Sequence, residues 1–257
     1  MAPSPLRLLV LGGTGEATAI AARLAGEPGV ALVTSLAGRT ARPSLPAGTV
    51  RVGGFAGPDG LAEYLTVQRV DAVLDATHPF AARMTATAAD VCARLGLPLL
   101  ALRRPAWVPA PGDRWVEVDS LAEAAAAVGR LGRRAFLALG RQGLAPFAPM
   151  HGTWFLIRCI DPPSGPLPAG RRVVLDRGPF SLDAELDLLR AHRVDVVVSK
   201  NSGGDAAYAK IAAARALDLP VVMVRRPPPP PGPFVSTVGA AIAWVRHLLD
   251  GGSYPGR

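Results

Sequence analysis

Three segments of the first half of this sequence recur, in the same order, in the second half. Each contains a short apolar run with the composition of a buried parallel strand. The pairs are Leu6–Gly12 with Arg134–Gly140, Arg69–Leu74 with Arg193–Val198, and Leu97–Pro105 with Leu219–Pro227. One such match could come from strand composition alone, whereas three in register indicate two similar α/β halves.

Within the first half, strand-like runs alternate with helical patterns. Strands are predicted at Leu8–Leu11, Val30–Ser35, Ala72–Asp75 and Leu97–Leu102, and amphipathic helices lie between them. This alternation is typical of a doubly wound parallel sheet. We therefore expect an α/β fold with two Rossmann-like halves, parallel sheets and an interdomain cleft, in which ligands meet the carboxyl ends of the strands.

The domain boundary is predicted within the Pro- and Gly-rich stretch Trp107–Arg114. This gives a nucleotide-binding domain over 1–112 and a second, substrate-side domain over 113–257, whose last helix, 236–249, is allowed to pack across. The run Pro227–Pro231 is expected to be a stiff polyproline II spacer, and a ligand for a proline-binding partner is the alternative.

The charge of the chain limits its partners. The formal net charge is +8, and of the 28 basic residues only Lys200 and Lys210 are lysines. Arginine offers a planar fork that suits phosphates and carboxylates. The arginines are scattered and aromatic residues make up only 5%, unlike the basic stripes that bind nucleic acid. A small polyanionic ligand is therefore expected, and no nucleic acid.

Cysteine and histidine usage gives no sign of a metal or a disulfide scaffold. Cys92 and Cys159 lie far apart, and with the 4 histidines they show no zinc-ligand spacing. The apolar run near the start is too short for a signal peptide, and no stretch reaches the ~20 apolar residues of a membrane span. The prediction is a soluble cytoplasmic protein with no metal site and no membrane contact.

A glycine-rich turn follows the first strand, where a dinucleotide diphosphate would bind. Its predicted cofactor-binding residues are Gly12, Gly13, Thr14, Gly15 and Glu16. Glycines let the backbone approach a diphosphate, and the helix N-terminus supplies N–H groups and partial positive charge. The fingerprint is imperfect because Thr18 replaces its third glycine. The alternative is a tight turn that binds nothing.

The end of the second strand bears on the choice of cofactor. An acidic residue there would hold the ribose 2′-hydroxyl of NAD, but the stretch Leu36–Arg42 contains none. Arg39, Thr40 and Arg42 are predicted to hold a 2′-phosphate instead, which favours NADPH. The alternative is two solvated arginines in a loop.

Two loops occupy equivalent places in the repeat but differ in sequence. Asp75–Ala81 follows one strand and Ser199–Gly204 follows its counterpart. Because the flanking strands agree, the loops are predicted to have specialised. Thr77, His78 and Pro79 are predicted to face the cofactor, and Lys200 could bind a carboxylate or donate a proton. A helix cap and a solvated lysine are the alternatives.

Four motifs occur in order along the chain: G-G-T-G-E near the start, D-A-T-H-P-F-A, G-P-F-S at Gly178–Ser181, and S-K-N-S-G-G followed by Lys210. In these motifs the chain resembles the precorrin-6A reductase family of cobalamin biosynthesis. The resemblance implies NADPH-dependent reduction of one macrocycle double bond of precorrin-6A, a substrate rich in carboxylates. It also implies neighbouring pathway enzymes as candidate partners.

The site residues expected from the repeat and the resemblance fall on two sides. Those facing the anionic tetrapyrrole are expected to be Arg141, Lys200, Asn201, Ser202 and Gly203. His78 and Lys200 are the candidate catalytic residues, but solvent or the ionisable nitrogens of the substrate are expected to deliver the proton. Two alternatives stay open: an NADH-dependent cobalt-precorrin-6A reductase, and a nucleotide-binding regulatory protein without chemistry.

Overall fold

The structure, a computed structural model, describes residues 4–38, 40 and 44–252. The chain divides into two compact units, one ending at Arg104 and resuming at Pro228, the other spanning Pro105–Pro227. Each unit contains a six-stranded parallel sheet with helices packed on it. The predicted α/β fold of two Rossmann-like halves is confirmed.

The elements of the first unit follow the predicted alternation of strands and helices. They are β1 (Leu6–Leu11), α1 (Gly15–Leu24), β2 (Val30–Leu36), β3 (Thr49–Val52), α2 (Pro58–Val67), β4 (Ala72–Asp75), α3 (Ala82–Leu95), β5 (Leu99–Leu102), β12 (Phe234–Val235) and α7 (Val238–Leu249).

The second unit follows the same plan. Its elements are β6 (Arg114–Val118), α4 (Leu121–Leu131), β7 (Arg134–Ala138), β8 (Trp154–Cys159), β9 (Arg171–Leu175), α5 (Leu182–Ala191), β10 (Val196–Lys200), α6 (Ala209–Ala216) and β11 (Pro220–Val224). Short 3-10 turns lie at Ala145–Phe147 and Asp205–Ala207.

The strand orders of the two sheets are equivalent. The first sheet runs β12-β5-β4-β1-β2-β3 and the second β6-β11-β10-β7-β8-β9, with every neighbouring pair parallel. In the first sheet the chain starts at the central strand β1 and winds outward in two directions. In the second sheet it enters at the edge strand β6, continues at the central strand β7, and then winds outward in the same two directions. The order therefore reverses between β1 and β4, and between β7 and β10, where ligands bind in folds of this kind.

The sixth strand and its helix are exchanged between the halves of the sequence. β6 and α4 come directly after the first half, yet β6 pairs with β11 in the second sheet. β12 and α7 come after the second half, yet β12 pairs with β5 in the first sheet. The units consequently divide at Arg104 and Pro105, earlier than the predicted 112/113 boundary. The segment from Pro228 onward, predicted for the second domain, belongs to the first unit.

The repeat is reproduced in side-chain contacts at the amino end of both sheets. The backbone N–H of Arg7 donates to Asp71 (2.8 Å), and that of Arg134 donates to Asp195 (2.9 Å). Arg69 and Arg193, two residues before these acids, have φ values of +51° and +48°. Equivalent strain and equivalent hydrogen bonds show that the halves repeat structurally. In the structure Arg7 is equivalent to Arg134, one residue away from the sequence pairing of Leu6 with Arg134.

Each sheet is buried on both faces, as parallel sheets are. In β1, Leu8 and Val10 pack with α1 and with Ile242 of α7, whereas Leu9 and Leu11 pack against the face covered by α2 and α3. In the second unit, Phe136 of β7 lies in the core formed with α5 and α6. In the described part of the chain, no helix is both long and apolar enough to cross a membrane.

Helix starts follow side-chain caps. Thr14, Ser120 and Ser181 accept a hydrogen bond from the N–H three residues later. α7 was predicted to begin at Ser236, but Thr237 is its cap and accepts from Ala240. These caps fix where each helix leaves the edge of its sheet.

Candidate active site

The glycine turn between β1 and α1 allows β2 on one side and a ligand on the other to come close to its backbone. A Cβ added to Gly12 would come within 2.9 Å of the Thr34 side chain, and Gly13 has φ +108°. A Cβ on Gly13 or Gly15 would meet nothing within 4 Å, so the space outside the turn is open. Gly12 thus lets the turn pack on β2, while Gly13 and Gly15 leave room for a ligand at the helix N-terminus.

Thr14 connects this turn to the neighbouring strand. Its hydroxyl accepts from the N–H of Ala17 (3.2 Å) and donates to the carbonyl of Ala76 (2.8 Å), directly after β4. Leu11 is in register with both Ser35 of β2 and Asp75 of β4. The first glycine turn and the D-A-T-H-P-F-A loop therefore meet at the carboxyl edge, where the strand order reverses.

Glu16, predicted beside the cofactor, forms an ion pair within its own unit. Nη1 of Arg104 lies 2.6 Å from its Oε2, and both side chains are mostly buried. Burial raises the pKa of Glu16, but the Arg104 hydrogen bond and charge outweigh it, so the pKa lies below the usual range. The acid is thus kept ionised and neutralised, which lessens its repulsion toward a bound phosphate.

The loop after β4 is ordered by its own side chains. Asp75 is buried and accepts from both the N–H (3.0 Å) and the hydroxyl (2.7 Å) of Thr77. Nδ1 of His78 accepts from the N–H of Phe80 (3.2 Å). A neutral ring accepting at Nδ1 carries its proton on Nε2. Pro79 lies between the two, half-buried, so the loop has one defined shape.

Part of the predicted 2′-phosphate site lies outside the described residues. This applies to Arg39 and Arg42; Thr40 is described and half-buried. Gly38, at the start of this stretch, has φ +69°, and a Cβ there would lie 3.5 Å from the backbone N of Gly53. The turns after β2 and β3 therefore pack on each other.

In the second unit, Lys200 is at the carboxyl edge beside the end of β7. Its Nζ donates to the carbonyl of Leu139 (3.4 Å), and Arg141 follows two residues later, half-buried. Ser202 N–H donates to the Lys200 carbonyl (2.7 Å). The structure thus brings Arg141, Lys200 and Ser202 to one edge of the second sheet.

Asn201, predicted to face the substrate, is buried and engaged with the chain itself. Its Oδ1 accepts from the N–H of Trp107 (2.8 Å) and its Nδ2 donates to the carbonyl of Trp107 (2.9 Å). The indole N–H of Trp107 in turn donates to the Gly204 carbonyl (3.0 Å). Asn201 therefore holds in place the segment around Trp107, with which the second unit begins.

Gly203 is likewise placed by packing. With φ +66°, a Cβ on it would come within 2.1 Å of the Pro105 carbonyl oxygen and 2.3 Å of the Arg226 guanidinium. Arg226 donates to the carbonyls of Asn201 (2.7 Å), Ser202 (2.9 Å) and Pro105 (3.0 Å). Only glycine fits here because backbone and arginine occupy the space a side chain would need.

A buried group of charges lies behind this loop. Arg158 and Glu185 pair at 2.7 Å, and Lys210 donates to the carbonyl of Ala207 (2.5 Å). Burial lowers the pKa of Lys210 to about 8, with Glu185 opposing the shift and Arg158 adding to it. Lys210 is therefore a buried support for the loop rather than a solvated side chain.

Several residues of these edges escaped sequence reasoning. Arg104 and Arg226 are the second arginines of the duplicated R-R-P. Arg104 binds Glu16 at the start of α1, and Arg226 binds the backbone of the loop after β10. The repetition of R-R-P was the sequence signal that could have identified them.

Cys92 is buried close enough to Asp75 to interact with its charge. Burial, and to a lesser extent the charge of Asp75, raises the pKa of the Cys92 thiol to about 12. No cluster of three or more His, Cys, Asp or Glu suited to a metal lies within residues 4–38, 40 and 44–252.

A known protein family matches this chain over a range that includes the residues of both carboxyl edges. The family model described as precorrin-6x reductase CbiJ/CobK matches residues 7–246, which include the first turn and the S-K-N-S-G-G loop. The chain belongs to the precorrin-6x reductase family. The resemblance proposed from the motifs is confirmed.

Relatives within the precorrin-6x reductase family match along most of their length. A precorrin-6A reductase of Rhodococcus erythropolis is 55% identical over 243 residues, covering 94% of this chain and 98% of that protein. One from Sinorhizobium sp is 48% identical over 246 residues, covering 95% and 94%. The solved structure of CobK precorrin-6A reductase has a TM-score of 0.89 at 44% identity, covering 97% of this chain and 98% of its own.

Proposed function

We propose that this protein is a precorrin-6A reductase that uses NADPH to reduce one macrocycle double bond in cobalamin biosynthesis. The observation that carries the proposal is the identity of 48–55% to proteins of that name over nearly the full chain. When bound, the nicotinamide cofactor would supply a hydride. The residues of this chain supply binding, orientation and exclusion of competing reactions.

The first unit fits a dinucleotide. The open space outside Gly13 and Gly15 admits a diphosphate at the start of α1, and Thr14 fixes the turn beside β4. The loop of Thr77, His78 and Pro79 lies at the same edge and is proposed to contact the nicotinamide end. The preference for NADPH rests on the absence of an acid in Leu36–Arg42 and on Arg39, Thr40 and Arg42.

The second unit fits a carboxylate-rich ligand. Arg141, Lys200 and the backbone of Ser202 share one edge, and two cationic side chains suit the carboxylates of a tetrapyrrole. Asn201 and Gly203 are proposed to shape this edge through Trp107 and Pro105, without touching the substrate. A carboxylate held by Lys200 would keep that lysine charged, so it acts as a clamp.

The proton is proposed to come from solvent or from the substrate's own nitrogens. His78 uses Nδ1 to order its loop, so only Nε2 could exchange a proton with a ligand. Lys200 donates to the carbonyl of Leu139 and is proposed to pair with a carboxylate of the substrate. We therefore propose that catalysis depends more on positioning the two ligands than on any single acidic side chain. His78 and Lys200, the catalytic candidates, are proposed to orient the ligands.

The test is turnover by the purified protein. Incubation with precorrin-6A and NADPH should give loss of NADPH absorbance together with a change in the visible spectrum of the macrocycle. Binding of both ligands without turnover would indicate a regulatory nucleotide-binding protein. Turnover only with NADH and cobalt-precorrin-6A would assign the protein to the alternative route.

A further inference from the structure

Arg51 places a guanidinium beside the carboxyl end of β2. It lies in β3 in register with Ser35 of β2, which is itself in register with Leu11 at the first glycine turn. Its Nη1 is 3.4 Å from the hydroxyl of Ser35. The end of the second strand is where a Rossmann-type fold contacts the adenosine ribose. Sequence reasoning about the cofactor did not include this residue.

The guanidinium is held in one orientation. It donates to the carbonyls of Gly53 (2.5 Å) and Gly54 (2.7 Å). Its Cζ lies 3.9 Å from the ring centroid of Phe55 and 5.2 Å from that of Tyr64. An arginine stacked on aromatic rings and bonded to backbone loses little further freedom on binding a ligand. These bonds do not exhaust its N–H donors.

The charge of Arg51 is not neutralised by a carboxylate. Among residues 4–38, 40 and 44–252, no Asp or Glu oxygen lies within 4.0 Å of it, whereas Arg104 and Arg158 each have such a partner. The stretch after β2 also contains no acid. A partly buried cation without a counterion favours an anionic ligand.

The loops beside Arg51 leave space for that ligand. Gly53 has φ +126° and its N–H donates to the carbonyl of Leu36 (2.8 Å), which extends the pairing of β2 and β3 past their ends. A Cβ on Gly53 or Gly54 would meet nothing within 4 Å. The surface over the guanidinium's backbone partners is therefore open.

We propose that Arg51 is a specificity-determining residue that contacts the 2′-phosphate of NADPH. Charge, orientation and position at the end of β2 combine in this one side chain. The proposal rests on the proposed NADPH-dependent function. It adds a cation from β3 to those expected from the turn after β2.

The test separates the 2′-phosphate from the rest of the cofactor. Binding of adenosine 2′,5′-bisphosphate and of adenosine 5′-monophosphate, which lacks only the 2′-phosphate, is measured by calorimetry on the full chain. The variants are Arg51→Met and Arg51→Lys. Arg7→Met, which removes the same charge at the amino end of β1, is the matched control.

The expected result for Arg51→Met is a loss of about tenfold to a hundredfold in affinity for the bisphosphate, with the monophosphate unchanged. Arg51→Lys should recover part of the loss, and Arg7→Met should match wild type. Equal weakening of both probes would show that Arg51 only supports the loop, and unchanged binding of both would remove it from the site; either overturns the proposal. If the wild-type protein itself does not discriminate between the probes, the NADPH assignment fails instead.

Discussion

Replacing Asn201 by alanine tests whether this residue holds the chain or contacts the substrate. The substitution removes two side-chain hydrogen bonds, of 2.8 and 2.9 Å, to the backbone of Trp107. Each contributes about 1 kcal/mol, and leaving a buried donor and acceptor unpaired costs about 1–3 kcal/mol apiece. With partial access of water to the half-buried Trp107, the expected loss is about 2–4 kcal/mol, or roughly 5–12 °C in Tm.

The assay is thermal and urea unfolding of Asn201→Ala and Asn201→Asp, with Gln68→Ala as a control that removes an amide from an exposed position. Asn201→Asp keeps the bond from the Trp107 N–H but sets a carboxylate against its carbonyl, so it should also destabilise. Gln68→Ala should unfold like wild type. A change below about 0.5 kcal/mol for Asn201→Ala, together with a large rise in KM for the tetrapyrrole, would show that Asn201 contacts the substrate rather than holding the segment at Trp107.

Four further outcomes are expected. His78→Ala and Lys200→Ala should each lower kcat/KM by about ten- to a hundredfold, and a loss beyond ~10⁴ in kcat with binding intact would identify a general acid. Lys210 has a folded-state pKa of about 8, below its ordinary value of 10.5, so the unfolded chain binds more protons between these values and stability should rise with pH there. Urea unfolding across that range should show this rise, of order 3 kcal/mol, in wild type but not in Lys210→Met. Ile242→Ala should cost about 2–4 kcal/mol, and hydrogen exchange should show weaker protection in β1 and β5 while β7 and β11 keep theirs. Cys92 should resist a thiol reagent at neutral pH until the protein is unfolded, because burial raises the pKa of its thiol to about 12; rapid labelling of the native state would contradict this.

Local pattern determined most of the elements and the glycine turn after β1. The strand Ala72–Asp75 has the predicted bounds, and β1 and β2 differ from their predicted bounds by one or two residues at one end. Burial on both faces of a parallel sheet requires continuous apolar runs, and a glycine turn before a helix is readable from a few adjacent residues. The duplicated segments likewise predicted two halves because each copy folds by the same local rules.

Tertiary structure decided which half each sixth strand completes and what the edge residues do. The sequence places β6 and α4 beside the first half, but pairing of β6 with β11 assigns them to the second sheet. Asn201 and Trp107 are 94 positions apart, so their pairing has no local signature. Arg51 becomes part of the β2 edge only because β3 pairs beside Ser35. Motif reading found residue types suited to ligands, but contacts between distant segments determined which of those side chains, such as that of Asn201, are already engaged in holding the fold.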